Sequence, residues 1–553
     1  MLSKPRCQSP VRSWTRYLSF LPAVVALFLV TATGCENDDS TTDDPKPPTV
    51  EQPIIDNTPV AKTGTIPADF EPTMWWETIK LAESRIGYSQ LTLSRHESTD
   101  GDGVTTKIDR IENTTRLTIV RDGQEANITL AVSTDATSDG QFLSMEQRIT
   151  QGEGPDGEIV IKGRVTGGQL HITSTTTGQT IEKTLPWRPN YLGPHAPIRS
   201  MMAKPMTPKD YRELTALPGA KIFSPAKIKL TSAEAYESIE TPLSLEPIEA
   251  LRINMISKMS DGTTQHSELW CDRSGRILRQ VDHMSQMEST RVTKAEALTQ
   301  PQELVDMNVF SKVPIHPPAT RIDRAQSVVY LATLDGIDPA TIFSDVPLQK
   351  VEKTGDHEAR ITIYGRGTPP SDRRALTARD LPTNADRRST SMAQSDNPEI
   401  RKLADQAAGD ASSQAEIAER IEAFVHSYIT DKNFSQGFFS AADVVKARRG
   451  DCTEHTVLLV ALARAKGIPA RAAMGLVATS HESMGFHMWA ELFIDGHWQP
   501  YDGAMAGGGK APLRLRLGHD RLESEDSQGV LTRTLQIIGR LKLATEKVEP
   551  RAE

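Results

Sequence analysis

The chain has 553 residues, 37% of them hydrophobic and 24% charged, with a formal net charge of -9. This length and composition describe globular protein of about three or four domains, each able to bury a real core. The acidic balance excludes nucleic acid as a partner, and four cysteines in so long a chain exclude a disulfide-stapled scaffold.

The first 34 residues hold Lys4, Arg6, Arg12 and Arg16 but no acid, and an apolar run from Leu18 to Val30 is broken only by Ser19 and Pro22. Such a segment is too short and one-sided for a typical spanning helix and reads as a secretory signal over residues 1–34. It ends in Ala32-Thr33-Gly34-Cys35, which resembles a bacterial lipobox. That resemblance implies that Cys35 is acylated, becomes the first mature residue and anchors the chain to a membrane of the cell envelope. Glu36 after it favours the outer membrane where the host has two. Each buried methylene of an acyl chain contributes about 0.8 kcal/mol to such anchoring.

Residues 35–67 are rich in Asp, Thr, Pro and Lys, with almost no apolar periodicity, and read as a disordered tether. A short helix is expected around Trp75 to Ile86. From there to about residue 300 the pattern is antiparallel β. Runs such as Tyr88 to Arg95, Arg116 to Arg121, Ala126 to Val132, Ile159 to Val165 and Gln169 to Ser174 alternate, with turn pairs at Asp122-Gly123 and Gly167-Gly168. The texture returns from Leu251 to Val292, with turns at Asp261-Gly262 and Ser274-Gly275, and suggests a curved or barrel-like sheet over residues 68–300. Cys271 is expected on a strand, half-buried. Residues 301–390 add strands at Ser327 to Thr333 and Ala359 to Tyr364 before a Pro-rich linker.

The last unit, 391–553, begins helical. Asn397 is a natural N-cap with Pro398 at the first helical position, Ile417, Ile421, Phe424, Val425 and Tyr428 form an apolar stripe, and Ser440 with Asp443 fits a capping box. Cys452 then opens a helix that Gly467 and Pro469 stop. A thiol in a first turn feels the positive end of the helix dipole, which favours thiolate, and the free N–H groups there can hold a developing oxyanion. Further on, Asp495-Gly496 can close a two-residue hairpin. If Ile494 pairs with His497, Asp502 lies opposite Trp489 and diagonal to His487, about 7–8 Å away at the backbone and within side-chain reach. A thiol with a histidine oriented by a carboxylate is the set that covalent acyl chemistry requires. Zinc on Cys452, His455 and either His481 or His487 is the weaker reading, since no fourth ligand of ordinary spacing appears. Trp489 and Trp498 read as packing around the site, and His481 and His497 as solvent-facing.

Gly450-Asp451-Cys452, Ala465 to Arg471, His487-Met488-Trp489-Ala490-Glu491 and Trp498-Gln499-Pro500-Tyr501-Asp502 together resemble the transglutaminase-like superfamily of papain-like thiol enzymes over residues 397 to 504. The resemblance implies an α+β fold, a papain-like transglutaminase core preceded by the large antiparallel β-rich region. It assigns Cys452 as nucleophile, His487 as general base and acid, and Asp502 as orienting carboxylate, with no cofactor or metal. The implied substrate is a protein or peptide, attacked at a Gln carboxamide or a peptide bond, with the acyl group passed to an amine or to water. A cysteine peptidase or amidase of envelope protein or peptidoglycan peptides is the alternative enzyme, and a non-catalytic binding or scaffolding protein the alternative outside enzymology. Where the family often continues Asp-Pro-Thr, this chain has Asp502-Gly503-Ala504. On these grounds Asp502→Asn is expected to slow catalysis while leaving folding nearly unchanged.

Overall fold

A computed structural model describes residues 73–551 apart from 100–102, 104, 122–123, 152–157, 177–178, 218–224, 260–263, 302, 367–374, 432–438, 506–510, 512 and 523–532. The signal segment, Cys35, the tether and the turns at Asp122-Gly123 and Asp261-Gly262 lie outside the described residues. Among the described residues, no helix is long and apolar enough to cross a membrane.

The stretch from Trp75 to Ile86 is strand rather than helix. It holds β1 (Thr73–Leu81) and the start of β2 (Ser84–Thr99), turning at Ala82 with φ 51°. Trp75 and Ile79 are four apart, which fits a helical face as well as one face of a strand, so local periodicity is ambiguous. Pairing decides it: Trp76 stands opposite Gln90 of β2 on one side and Val292 on the other. Ala82 lacks the Gly or Asn that usually marks such a turn.

Strands β3 (Thr105–Arg121), β4 (Gln124–Thr137), β5 (Phe142–Gln151), β6 (Glu158–Thr166), β7 (Gln169–Thr176) and β8 (Gln179–Pro186) follow as an antiparallel meander. Gly167 and Gly168, at φ 60° and 74°, make the expected tight turn between β6 and β7. A second run comprises β9 (Tyr191–Leu192), β10 (Tyr211–Ala216), β11 (Ala226–Ser232), β12 (Glu237–Ile239), β13 (Ile248–Lys258), β14 (Thr264–Cys271), β15 (Ile277–Asp282) and β16 (Met287–Val292). Because β16 pairs with β1, the two runs fuse into one sixteen-stranded sheet.

Helix α1 (Ala196–Ala203) shows that this sheet curls. Its Ile198, Met202 and Ala203 pack on Trp75, Leu91, Leu93 and Ile111 of β1 to β3, while Ala196 and Met201 pack on Leu230, Leu251, Ile253 and Leu269 of β11 to β14. One eight-residue helix meets both groups because the sheet wraps around it. Arg199 of α1 reaches across to Asp109 of β3 at 2.8 Å, with both side chains buried, and Arg95 holds the other side of the same carboxylate. Cys271 is fully buried on β14, rather than half-buried, with its thiol 3.6 Å from Met201 Sδ.

His195, just before α1, sets its Nδ1 2.9 Å from Thr134 Oγ1 of β4. Burial pushes its pKa down from 6.5 to about 4. Above pH 6.5 the ring is neutral in folded and unfolded chains alike. Between 6.5 and 4 the unfolded ring takes up a proton that the folded ring refuses, so this contribution to stability is complete above about pH 6.5 and lost as pH falls toward 4. The melting temperature is therefore expected to drop by roughly a few degrees between pH 7 and 5. Scanning calorimetry on His195→Gln should show a shallower drop, and an unchanged slope would remove His195 as its source.

The C-terminal half starts from β17 (Val313–Pro314). Strands β18 (Ala325–Leu334), β19 (Gln349–Gly355) and β20 (Glu358–Tyr364) form a sheet that the last strand, β25 (Leu541–Pro550), completes by pairing with β18. Between them run α2 (Pro398–Ala408), α3 (Gln414–Tyr428), α4 (Ala441–Ala447) and α5 (Cys452–Ala465), then β21 (Ala470–Ser480), β22 (Ser483–Ile494), β23 (His497–Tyr501) and β24 (Arg514–Asp520). Asn397, Ser413 and Ser440 cap α2, α3 and α4 through their side chains. Among the described residues strand outweighs helix, and the longer helices lie in this half.

Candidate active site

Cys452 is the first residue of α5, and the local sequence dictates why. Asp451 caps the helix, its Oδ1 accepting from Thr453 N at 2.8 Å, while Glu454 Oε2 accepts from Asp451 N at 2.9 Å to close a capping box. Gly450 sits at φ 147°, and a Cβ there would come within 2.3 Å of Glu454 Cβ, so only glycine allows this entry. Glu454 is buried and also accepts from Phe439 N; burial, then the neighbouring Asp451, drives its pKa well above the ordinary carboxylate value. From Cys452 to Arg464 the helix is buried throughout, packed on β21 and β22.

The β22–β23 hairpin has the expected two-residue loop, with Asp495 at φ 51° and Gly496 at 78°, and Ile494 pairs with His497. This register carries Asp502, one residue past β23, back to His487. Their side chains meet with His487 Nε2 2.8 Å from Asp502 Oδ2, each about 1% exposed. With Nε2 donating to the carboxylate, His487 Nδ1 is left as the lone-pair nitrogen. It is buried and has no hydrogen-bond partner among the described residues.

A family model described as the transglutaminase-like superfamily matches residues 401–503, a span holding Cys452, His487 and Asp502. Residues 401–503 belong to the transglutaminase-like superfamily. No curated protein matches the chain significantly. Among solved structures, a candidate cysteine protease from Cytophaga hutchinsonii is 15% identical over 41% of this chain and 91% of its own, at a TM-score of 0.26. A β-barrel-like protein of a domain of unknown function from Brucella abortus is 9% identical, over 40% of this chain and 94% of its own, at 0.29. The periplasmic domain of TgpA from Pseudomonas aeruginosa, bound to ethylmercury, is 15% identical over 33% and 91%, at 0.20. At such scores the likeness carries no chemistry over to this chain.

Just beyond the transglutaminase-like domain, sequence reasoning missed the partner that shares Asp502. Arg514 of β24 places Nη2 2.5 Å from the same Oδ2 that His487 uses, and its side chain is only 4% exposed. Asp502 Oδ1 accepts from Ala504 N at 3.1 Å and Met505 N at 3.3 Å. Burial by itself raises the pKa of Asp502, but His487 and Arg514 outweigh it and hold the carboxyl far below its ordinary range. A signal was present in Arg514-Leu515-Arg516-Leu517: two arginines on one face of a largely buried strand need acids inside the protein. Arg516 finds Glu491, which also holds Arg471, each at 2.8 Å. Burial raises the Glu491 pKa, yet Arg516 and Arg471 overcome it and bring it to about 2. The Glu491 of the family motif thus ties β21, β22 and β24 together.

The departure at Gly503 also has a structural reason. A Cβ there would fall 2.7 Å from Val425 Cγ1, and the Gly503 carbonyl is held by His426 Nδ1 at 2.9 Å. Glu422 Oε1 accepts from Asp502 N at 2.6 Å. Helix α3 therefore braces the segment that carries Asp502, and glycine lets it approach closely.

Trp489 is buried and stacks near the His487 ring at 6.4 Å, and Trp498 is buried beneath Arg471 with its Nε1 donating to Asp380 O at 2.7 Å, so both pack around the site. His481 is exposed at the surface, whereas His497 is half-buried. The His455 Nδ1 lies 2.5 Å from Asp451 O, inside the helix start. Among the described residues no group of three or more His, Cys, Asp and Glu is arranged to hold a metal. No disulfide joins Cys271 and Cys452.

Proposed function

We propose that Cys452, His487 and Asp502 form a catalytic triad for papain-like acyl transfer. The observation that carries this reading is the buried His487 ring, fixed through Nε2 by Asp502 and left with a lone-pair Nδ1. The thiol proton passes to His487 Nδ1 and Cys452 Sγ bonds to a carboxamide or peptide carbonyl carbon. The tetrahedral oxyanion develops beside the positive N-terminal end of α5, the C–N bond breaks, and the leaving amine or ammonia takes the proton from His487. Water or an amine then attacks the thioester, gives its proton to His487, and releases the thiolate as the C–S bond breaks. Asp502 keeps the tautomer and stabilises the imidazolium.

Transfer and hydrolysis separate in one experiment: the full chain is incubated with casein and a dansylated amine at neutral pH. Dansyl incorporation marks transfer to the amine, and release of peptides or ammonia without dansyl incorporation marks hydrolysis. Iodoacetamide labelling tests the nucleophile beneath both. Burial, then Asp272, pushes the Cys271 pKa up to about 12, leaving on the order of 10⁻⁵ of it ionised at pH 7. Label should therefore fall almost wholly on Cys452, and equal labelling of both thiols would remove the mechanism.

We further propose that Cys35 is acylated and tethers this enzyme to the cell envelope, supported by the basic and apolar segment that ends in Ala32-Thr33-Gly34-Cys35. Mass spectrometry of the mature N-terminus should find a lipid-modified Cys35, and Cys35→Ser should block processing. An unmodified N-terminus elsewhere would sink the anchor while leaving the thiol chemistry untouched.

A further inference from the structure

A cavity of about 340 Å³ lies against the curved sheet, and Cys452, His487 and Asp502 are not in its lining. Helix α1 fills one end of the curl, against Trp75, Leu93 and Ile111. Two to six residues further along the same strands, the inward positions line the cavity instead: Ile79 and Leu81 on β1, Leu117 on β3, Ile128 and Leu130 on β4. The other end is covered by Phe310, Leu535 and Ile538 of the C-terminal half. That cover is fastened to the sheet by Gln286 Nε2 donating to Ile538 O at 2.7 Å and Arg540 Nη2 donating to His283 O at 2.6 Å.

Polar side chains interrupt these apolar walls: Ser89 and Thr115 at the level of Glu77, and Gln265 and Asp282 around the position opposite Met287. Many of them are self-satisfied: Asp282 accepts from Gln265 and Ser267, and Ser89 lies between Asn113 and Thr115. Glu77 and Gln280 differ. Both line the cavity, no cation among the described residues lies within ion-pair distance of the Glu77 carboxyl, and the Gln280 amide makes no hydrogen bond among them. Burial pushes the Glu77 pKa up, against Arg291 opposite it on β16 and the hydrogen bond from Trp75. The Glu77 carboxyl and the Gln280 amide can each hydrogen-bond a polar head.

Branched aliphatic walls with a few polar groups among them make a ligand site rather than a packing fault. Glu77, Ile79 and Leu81 sit at alternate positions along β1, so the lining runs for about 13 Å from Glu77 toward the cover. That shape suits a chain rather than a single ring. We propose that the cavity binds a straight-chain aliphatic molecule of the fatty-acyl class, its chain against Ile79, Leu81 and Leu117 and its hydrogen-bonding head at Glu77 and Gln280. This site is independent of the thiol chemistry.

The full chain is titrated with cis-parinaric acid, whose fluorescence rises in an apolar site, and the probe is then displaced with lauric or hexanoic acid. Saturation at about one probe per chain is expected, with displacement by laurate and little by hexanoate. Leu130→Trp and Met287→Trp each push an indole into the cavity and should weaken binding at least tenfold in whichever variant melts like the parent. Cys452→Ala should bind like the parent, which separates this site from the enzyme reading. Absence of saturable binding, displacement by both acids alike, or parent-like affinity in a folded Trp variant would overturn the proposal.

Discussion

Asp502→Asn is expected to slow turnover by about 10 to 10³-fold and to cost about 3–5 kcal/mol of folding stability. The rate effect follows from the tautomer: an amide stabilises imidazolium poorly and can hold the wrong ring nitrogen. A serine triad loses about 10⁴ from the same exchange, but a thiol depends less on its base. The stability effect departs from the expectation of an unchanged fold, and Arg514 is the reason. Its guanidinium is buried against Asp502, with Nε and Nη1 making no hydrogen bond among the described residues, so neutralising the acid leaves a buried cation without its counter-ion. Arg514→Met alone is expected to destabilise similarly while retaining more turnover, because His487 still has its carboxylate. The double variant should recover part of the stability that either single change loses. Urea unfolding of the three variants measures the coupling, and strictly additive losses would show that Arg514 and Asp502 are not a pair.

Cys452→Ala is expected to reduce turnover by about 10³-fold or more and to abolish iodoacetamide labelling at pH 7. Folding should change by no more than about 1 kcal/mol, since the substitution removes one sulfur at the helix start and leaves the capping box of Asp451 and Glu454 intact. Labelling rates and calorimetry on the same preparations check both parts. Retained turnover would remove Cys452 as the nucleophile and with it the triad mechanism.

What was legible in the sequence is what neighbouring residues decide among themselves. Asp495-Gly496 sets a two-residue turn, and that turn sets the pairing of Ile494 with His497 that delivers Asp502 to His487. Asp451 and Glu454 cap α5, Asn397 caps α2 before Pro398, and Ser440 caps α4 through Asp443, each over a span of a few residues. The runs Tyr88 to Arg95, Arg116 to Arg121, Ala126 to Val132, Ile159 to Val165 and Gln169 to Ser174 announced themselves by alternation, whereas Phe142–Gln151 and Tyr211–Ala216 did not. Tertiary structure alone decided the contacts between distant segments. Trp75 to Leu81 could satisfy a helical period or a strand period, and only pairing with β2 and β16 chose the strand. The closure of β1 on β16 and the return of β25 to β18 join residues some 200 apart, and α1 packs on Trp75 more than 100 residues before it, all beyond the reach of any local pattern. Arg514 likewise reads locally as one of two strand arginines; its role arises because the fold brings it and His487 to the same carboxylate oxygen, where the low dielectric of the interior makes the charges interdependent.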